Sequence, residues 1–253
     1  MYHTTGFSKD QILTLCAMIA ERFESRGNTR GRPRALGLFK SVVVTLCYLR
    51  RNRAQQELGE LFDVSQSTIS RTVAAYTVVL DELLAELVPT VEDLDPDAQL
   101  IIDGTLLPCW SWAEHPELWS GKHRTTGLNV QVACTLSGQL AWVSDPTPGK
   151  THDAKALRES GILDNDAHPQ HLGDKGYIGL GMITPMRRNP GQELHESQRE
   201  FNTQVNSIRY QIERTIAHLK TWRIFHTDYR RPLRTFPQTI STVIALEFYR
   251  TAL

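Results

Sequence analysis

Three acids and two bases carry the chemistry this sequence offers: Asp103, Asp174 and Glu213, with Arg209 and Lys220 flanking the last of them. Arg209, Glu213, Ile216 and Lys220 follow one another at steps of four, three and four, which return to nearly the same face of an α-helix. One face then carries a cation, an anion, an apolar anchor and a second cation. Taken alone, that is a surface salt bridge. Asp103 ends the apolar stretch Leu100-Ile101-Ile102, and Asp174 ends a second strand-like stretch that opens on Gln170-His171-Leu172. A buried strand that delivers a carboxylate at its end puts a ligand on a rigid support. An ordinary Asp-Gly turn is the competing account of Asp103-Gly104.

If the two strands are neighbours and a long helix packs on them, the three carboxylates converge at one edge. Such a set binds a hard divalent cation through oxygen, Mg²⁺ with Mn²⁺ as its substitute. Two such ions about 3.5–4 Å apart clamp the attacking and leaving oxygens of a phosphodiester displacement. No side-chain nucleophile is needed, and neither a Ser or Cys with an evident base nor a Walker-type glycine loop is present. Asp153 is the acid that does not fall into place. His152-Asp153 lies at a predicted helix start, where an Asp is an ordinary N-terminal cap. A fourth ligand, or a residue supporting the ligands, is the other reading. His152 is expected beside the ligands rather than among them, because Mg²⁺ prefers oxygen.

The elements that must position these groups follow from pattern. Residues 127–134 alternate like a strand, Ser137-Gly138 turns the chain, and residues 140–144 return it. A helix is predicted from His152-Asp153 to about Ile162, then the strand ending in Asp174, then a short strand at residues 183–187. A long helix starts near Ser197 and carries Phe201, Val205, Ile208, Ile212, Ile216 and Leu219. A last apolar helix occupies residues 237–253. Strand, hairpin, helix, strand and helix in this order predict an α/β fold with a mixed sheet. Trp110, Trp112 and Trp119 cluster around Lys122 and His123, either as a surface for DNA bases or as a hydrophobic lid.

The first part of the chain reads differently. Helices are predicted over residues 8–25 and 36–50. Between them lies an arginine-rich stretch, including Arg32 and Arg34, that reads either as an arm on DNA phosphates or as a solvated loop. Residues 55–76 resemble a helix-turn-helix. Leu58, Leu61 and Phe62 form the packing face of its first helix, Val64 plugs the turn and Ser65 caps the second helix. Ile69 and Val73 then pack inward, leaving Gln66, Ser67, Thr68, Ser70 and Arg71 at the outward N-terminal part that enters a major groove. A helical hairpin used only for packing is the alternative. The acidic, proline-bounded residues 89–96 mark a boundary, with domains expected at 1–90 and 91–253.

Composition bounds the partners. Twenty-eight basic residues balance twenty-eight acidic ones, but unevenly along the chain. Residues 25–53 hold eight Lys/Arg and no acid, and residues 81–97 hold seven acids and no base. Such asymmetry speaks of partners rather than fold. Cys16, Cys47, Cys109 and Cys134 show no zinc-type pairing, and Cys16 and Cys47 are expected as buried thiols of a reducing compartment. No signal sequence and no membrane-length apolar run is evident, so a soluble cytoplasmic protein is expected.

Asp-Gly-Thr, Gly-x-x-His-Asp, Asp-x-Gly-Tyr, then Phe-Asn with Arg-x-x-x-Glu-x-x-x-x-x-x-Lys together resemble the DDE transposases of bacterial insertion sequences, in the branch related to the eukaryotic Harbinger transposases. The resemblance runs from the helix-turn-helix to about Trp222. It implies a ribonuclease H-like catalytic core behind an all-helical DNA-binding domain, and cut-and-paste chemistry on inverted-repeat ends. It further implies Asp103, Asp174 and Glu213 as catalytic and metal-ligating residues for two Mg²⁺ or Mn²⁺ ions. Arg209 and Lys220 match the motif's Arg and Lys and would hold the terminal phosphates. Lys122 and Lys175 complete the expected DNA-contacting set. The motif's Tyr, three residues before its Arg, is replaced here by Asn206. Double-stranded DNA, both inverted repeats and target, is the expected partner, and a homodimer is expected because two ends need two sites. The alternatives are a domesticated endonuclease that no longer transposes, and a DNA-binding regulator.

Overall fold

The structure, a computed structural model, describes residues 1–25, 35–110, 114–164 and 169–252. The expectations for Arg32, Arg34 and Trp112 fall outside these residues. Eight α-helices are found among them: α1 Tyr2–Thr5, α2 Lys9–Ser25, α3 Leu38–Arg51, α4 Gln55–Phe62, α5 Gln66–Leu84, α6 Asp153–Glu159, α7 Glu196–Leu219 and α8 Phe236–Thr251. Five strands accompany them: β1 Leu100–Pro108, β2 Trp119–Ser120, β3 Thr125–Thr135, β4 Leu140–Val143 and β5 Thr147–Pro148. The chain forms two compact units, Met1–Val88 with Lys220–Leu253, and Pro89–Leu219.

The first unit is helical. α2 opens with a reciprocal cap, in which the Ser8 amide donates to Gln11 Oε1 at 2.9 Å and the Gln11 amide to Ser8 Oγ at 3.2 Å. Ile12, Leu15 and Ile19 of α2 are fully buried, as are Val42, Leu46 and Leu49 of α3 and Ile69, Val73 and Leu80 of α5. Each such side chain contributes roughly 1.5–3 kcal/mol of burial. Residues Lys220–Leu253 cluster with this unit. α8 is buried nearly all round, from Ile240 and Val243 to Leu246 and Phe248, and a helix apolar on every side takes a core position. α8 packs on α5, and Thr242 Oγ1 donates to the Thr77 carbonyl at 3.2 Å. Trp222, fully buried, donates from Nε1 to Glu247 Oε2 at 2.8 Å and meets Phe7 at 6.0 Å between ring centroids.

The helix-turn-helix is α4 and α5. Asp63 turns the chain at φ 53°, and the Val64 amide returns to the Gly59 carbonyl at 2.9 Å. A β-carbon on Gly59 would lie 2.7 Å from the Val64 carbonyl oxygen, so only glycine lets the turn close this tightly. Ser65 caps α5, accepting from the Thr68 amide at 3.3 Å. The packing face of α4 is narrower than expected. Leu58 is buried, but Leu61 is 69% exposed, because an eight-residue helix presents only two turns to its neighbours.

In the second unit β1 and β3 form the spine of an antiparallel sheet, with β2, β4 and β5 also pairing β3. Leu172 adds a parallel bridge to Ile101 and another to Ile183. The two strands predicted around Leu172 and Ile183 are thus reduced to single bridging residues, with the Gly173 amide donating to the Ile183 carbonyl at 3.0 Å and the Ile183 amide to the His171 carbonyl at 2.8 Å. Leu100, Ile102, Ala133, Trp142, Leu157, Ile162 and Tyr177 pack into one core on the sheet. Asp103 is the fourth of nine residues of β1, not its end, because Thr105, Leu106 and Leu107 continue the pairing to β3. Among the described residues no helix is long and apolar enough to cross a membrane.

Candidate active site

β1 carries Asp103 at the point where its buried run is interrupted by two half-buried positions, Asp103 and Gly104. The Gly104 amide donates to Asp103 Oδ1 at 2.9 Å, and Arg209 of α7 lies 3.7 Å from Asp103 Oδ2. Burial raises the Asp103 carboxyl to about 6, with Arg209 opposing that rise and the Asp174 charge adding to it. Asp174 reaches this position through the parallel bridge of Leu172 to Ile101: the Ile102 amide donates to the Leu172 carbonyl at 2.8 Å. Asp174 then caps a single 3₁₀ turn, accepting from the Gly176 amide at 2.6 Å.

Asp153 is the third acid of this cluster. It is the first residue of α6, behind His152 at the N-cap, and makes no side-chain cap, which corrects the capping expectation. Its carboxylate turns to the sheet instead. Lys122 Nζ donates to Oδ2 at 2.8 Å and Asn129 Nδ2 to Oδ1 at 2.8 Å. Burial opposes ionisation, but these two bonds outweigh it and hold Asp153 below the ordinary carboxylate range. Lys122 is raised in turn, by Asp153 first and also by Asp103 and Asp174. Tyr177, fully buried, donates to Gln131 Oε1 at 2.7 Å. Its phenol is raised by burial and then by Asp103, Asp153 and Asp174 together. One lysine and one tyrosine therefore feel all three aspartates.

Glu213 is not gathered in. It is exposed on α7, one turn beyond Arg209. Ile212, Thr215 and Leu219 take the buried face, so the steps of three and four place Arg209 against the sheet and Glu213 at the edge of that face. Among the described residues no three His, Cys, Asp or Glu side chains are placed to share one ion. Burial is the main cause of the raised Asp103 pKa, and the like charge of Asp174 adds to it. The donor chemistry nevertheless suits a hard cation. The clustered acids offer oxygen alone, and Arg209 and Lys122 supply the positive charge the cluster now has.

The remaining expected residues are scattered. Lys175 is exposed beside Asp174, and His152 is exposed at the start of α6. Lys220 follows the last residue of α7, falls in the first unit, and is lowered by burial. Gln66, Ser67 and Arg71 are exposed on α5, with Thr68 and Ser70 half-buried, and Gln66 Nε2 donates to Gln55 Oε1 at 2.8 Å. Trp110 and Trp119 are 60% and 49% exposed, so neither is a buried lid. Trp119 instead lines a cleft of about 330 Å³ with Lys122, His123, Lys150 and Asp153.

Asn129, Gln131 and Gly104 are the contributors that sequence reasoning missed. Asn129 and Gln131 are polar residues two apart within the apolar run from Leu128 to Cys134, which puts both on one face of β3, and that spacing was the available signal. A β-carbon on Gly104 would lie 2.5 Å from Asp153 Oδ1 and 2.9 Å from Gln131 Nε2, so this glycine is the gap into which the Asp153 carboxylate fits.

The family described as "DDE superfamily endonuclease" matches residues 102–247, and "Helix-turn-helix of DDE superfamily endonuclease" matches residues 34–86. The chain is similar to a "Putative transposase for insertion sequence element IS112" of Streptomyces albus G, with 31% identity over 199 residues, covering 77% of this chain and 73% of the relative. It is also similar to a "Probable transposase for insertion sequence element IS702" of Microchaete diplosiphon, with 24% identity over 263 residues, covering 98% and 93%. No solved structure matches significantly.

Proposed function

Because this chain belongs to the DDE superfamily endonucleases, we propose that it is an insertion-sequence transposase that binds transposon-end DNA and catalyses metal-dependent cleavage and strand transfer. The observation that carries the reading is the approach of Asp174 to Asp103 through the single parallel bridge of Leu172 to Ile101, with Arg209 of α7 on Asp103. The long antiparallel β1–β3 pair flanked by a parallel bridge, with a helix packed on it, supports a ribonuclease H-like core.

In this reading Asp103 and Asp174 would hold divalent metal, Mg²⁺ or Mn²⁺, and Glu213, which stands exposed on α7, is the third carboxylate on the strength of the motif alone. The metal supplies activation of the attacking oxygen and charge neutralisation at the leaving one. The chain supplies position. β1 and the bridge at Leu172 fix the two aspartates, and Gly104 leaves room for Asp153. Lys122 and Asn129 keep Asp153 ionised and stationary beside them. Arg209, held against Asp103 by a long 3.7 Å contact, has further donors to offer a DNA phosphate. Lys122 and Lys175 lie exposed near the same aspartates and suit phosphates as point charges. The role of Lys220 rests on the motif alone. The outward residues of α5, Gln66, Ser67 and Arg71 foremost, read the end sequence. Two ends require two such sites, hence a homodimer on DNA.

The test is cleavage of linear DNA carrying the flanking inverted repeats, with Mg²⁺ or with EDTA. Nicking in Mg²⁺ alone, lost in Asp103→Ala and Glu213→Ala, is expected. Metal-independent cleavage, or full activity in either variant, overturns the mechanism. Specific binding without nicking in any metal identifies the regulator instead.

A further inference from the structure

The first unit carries a cationic feature that neither the helix-turn-helix surface nor the carboxylate cluster uses. A notch of about 640 Å³ opens where α3 passes into α4, and Arg51, Arg53, Arg223 and Arg230 line it with Glu57 as the acid among them. Four guanidinium groups thus face one carboxylate. Glu57 is occupied by Arg53 at 3.3 Å, and both side chains are more than half exposed, so this pair neutralises little of the field.

The notch is built rather than accidental. Asn52, in the left-handed region at φ 46° and nearly buried, ends α3. Its Nδ2 donates to Thr227 Oγ1 at 2.8 Å and to the Asp228 carbonyl at 3.0 Å, which pins the segment bearing Arg223 and Arg230 against the α3–α4 turn. Arg230 donates to the Asn52 carbonyl at 2.6 Å, and Arg51 donates to the His3 carbonyl. A guanidinium has five donors, so these bonds fix the two heads and leave most donors for a ligand. Ala54 at the N-cap of α4 makes no side-chain cap, and it too lines the notch. In a helix-turn-helix the first helix is the one that crosses the DNA backbone, and here that helix is α4.

We infer that this notch is a binding site for DNA-backbone phosphate, through which the C-terminal segment joins the helix-turn-helix in holding the duplex. The inference rests on the reading of the chain as a DNA-binding transposase. The notch is wider than a single phosphate needs, and its arginines come from two separated stretches of chain, which suits a run of backbone phosphates. Such contacts add affinity without sequence preference, because phosphates carry no base identity.

The experiment is fluorescence anisotropy with the full chain, on one duplex carrying the inverted repeat and one of scrambled sequence, across a KCl series. Arg223→Ala is expected to weaken both duplexes by the same factor. It should lower the slope of log affinity against log salt by about 1, and Arg223→Ala with Arg230→Ala by about 2. Arg223→Lys, which keeps the charge, should keep the slope. Gln66→Ala should instead reduce the preference for the inverted repeat and leave the slope unchanged. Because Arg230 also supports the fold, Arg223→Ala alone decides the matter. If wild type binds DNA and Arg223→Ala leaves affinity and slope unchanged, the inference is wrong while the transposase reading stands. Wild type that binds neither duplex overturns both. Millimolar inorganic phosphate that raises the melting temperature, with no change in DNA slope in the variants, assigns the notch to a free anion and overturns the DNA site.

Discussion

The Asp153 carboxylate occupies the space that a side chain at Gly104 would need: a β-carbon there would stand 2.5 Å from Asp153 Oδ1. Gly104 follows Asp103 on β1, while Asp153 opens α6, 50 residues on. A glycine that a turn would explain at the level of sequence is, in the fold, the contact that brings a third aspartate to the first.

Gly104→Ala therefore pushes the Asp153 carboxylate off Asn129, and the backbone of β1 away from Gln131. A stability loss of about 1–3 kcal/mol is expected from overpacking, with cleavage lost even where the protein remains folded. Thermal melts and the inverted-repeat cleavage assay check it. A variant with wild-type stability and rate disproves the close fit.

Asp103→Asn should separate stability from activity. The Asp103 carboxyl titrates at about 6 in the fold against an ordinary 3.8. The folded state thus binds this proton more tightly than the unfolded chain. Its contribution to stability is present below about pH 4 and is lost as pH rises through about 6. In EDTA at pH 7 the asparagine variant should be more stable, by up to about 3 kcal/mol, and the gain should vanish near pH 4. Cleavage should be abolished. A variant that melts lower at pH 7 contradicts the sign.

Asn129→Leu and Lys122→Met remove the two donors of Asp153 in different surroundings. Asn129 is 5% exposed, and its loss leaves a half-buried oxygen without a partner, at about 1–3 kcal/mol. The Lys122 side chain is 60% exposed, so its ion pair changes stability by less than about 1 kcal/mol. Both should slow cleavage. Chemical denaturation of the two side by side reads the difference, and equal losses would show that burial does not set it.

A fragment of residues 1–90 should not fold. Without α8 and Trp222 the inner faces of α3 and α5 lose their cover. Circular dichroism should show little helix in that fragment, and recovery on adding a peptide of residues 220–253. A cooperative melt of the fragment alone restores the simpler division at residue 90.

Local pattern was enough for the parts that local physics controls. Apolar spacing marked α2, α3, α5 and α7 to within a few residues, and Ser65 was legible as a cap because a cap bonds only three residues ahead. The order of Asp103, Asp174 and Glu213 with Arg209 and Lys220 was legible as a motif, and the family match, over residues 102–247, spans the stretch that carries it. What tertiary structure alone decided depends on pairing across long stretches of chain. The sheet register put Asp103 mid-strand and set Gly104 beside Gln131. A side-chain choice between solvent-facing cap and sheet-facing ligand partner sent Asp153 to Lys122 and Asn129, and no spacing along α6 records that choice. The tail joined the first unit because a helix apolar on all sides has to be covered on all sides, and its sequence says that it must be buried without saying against what.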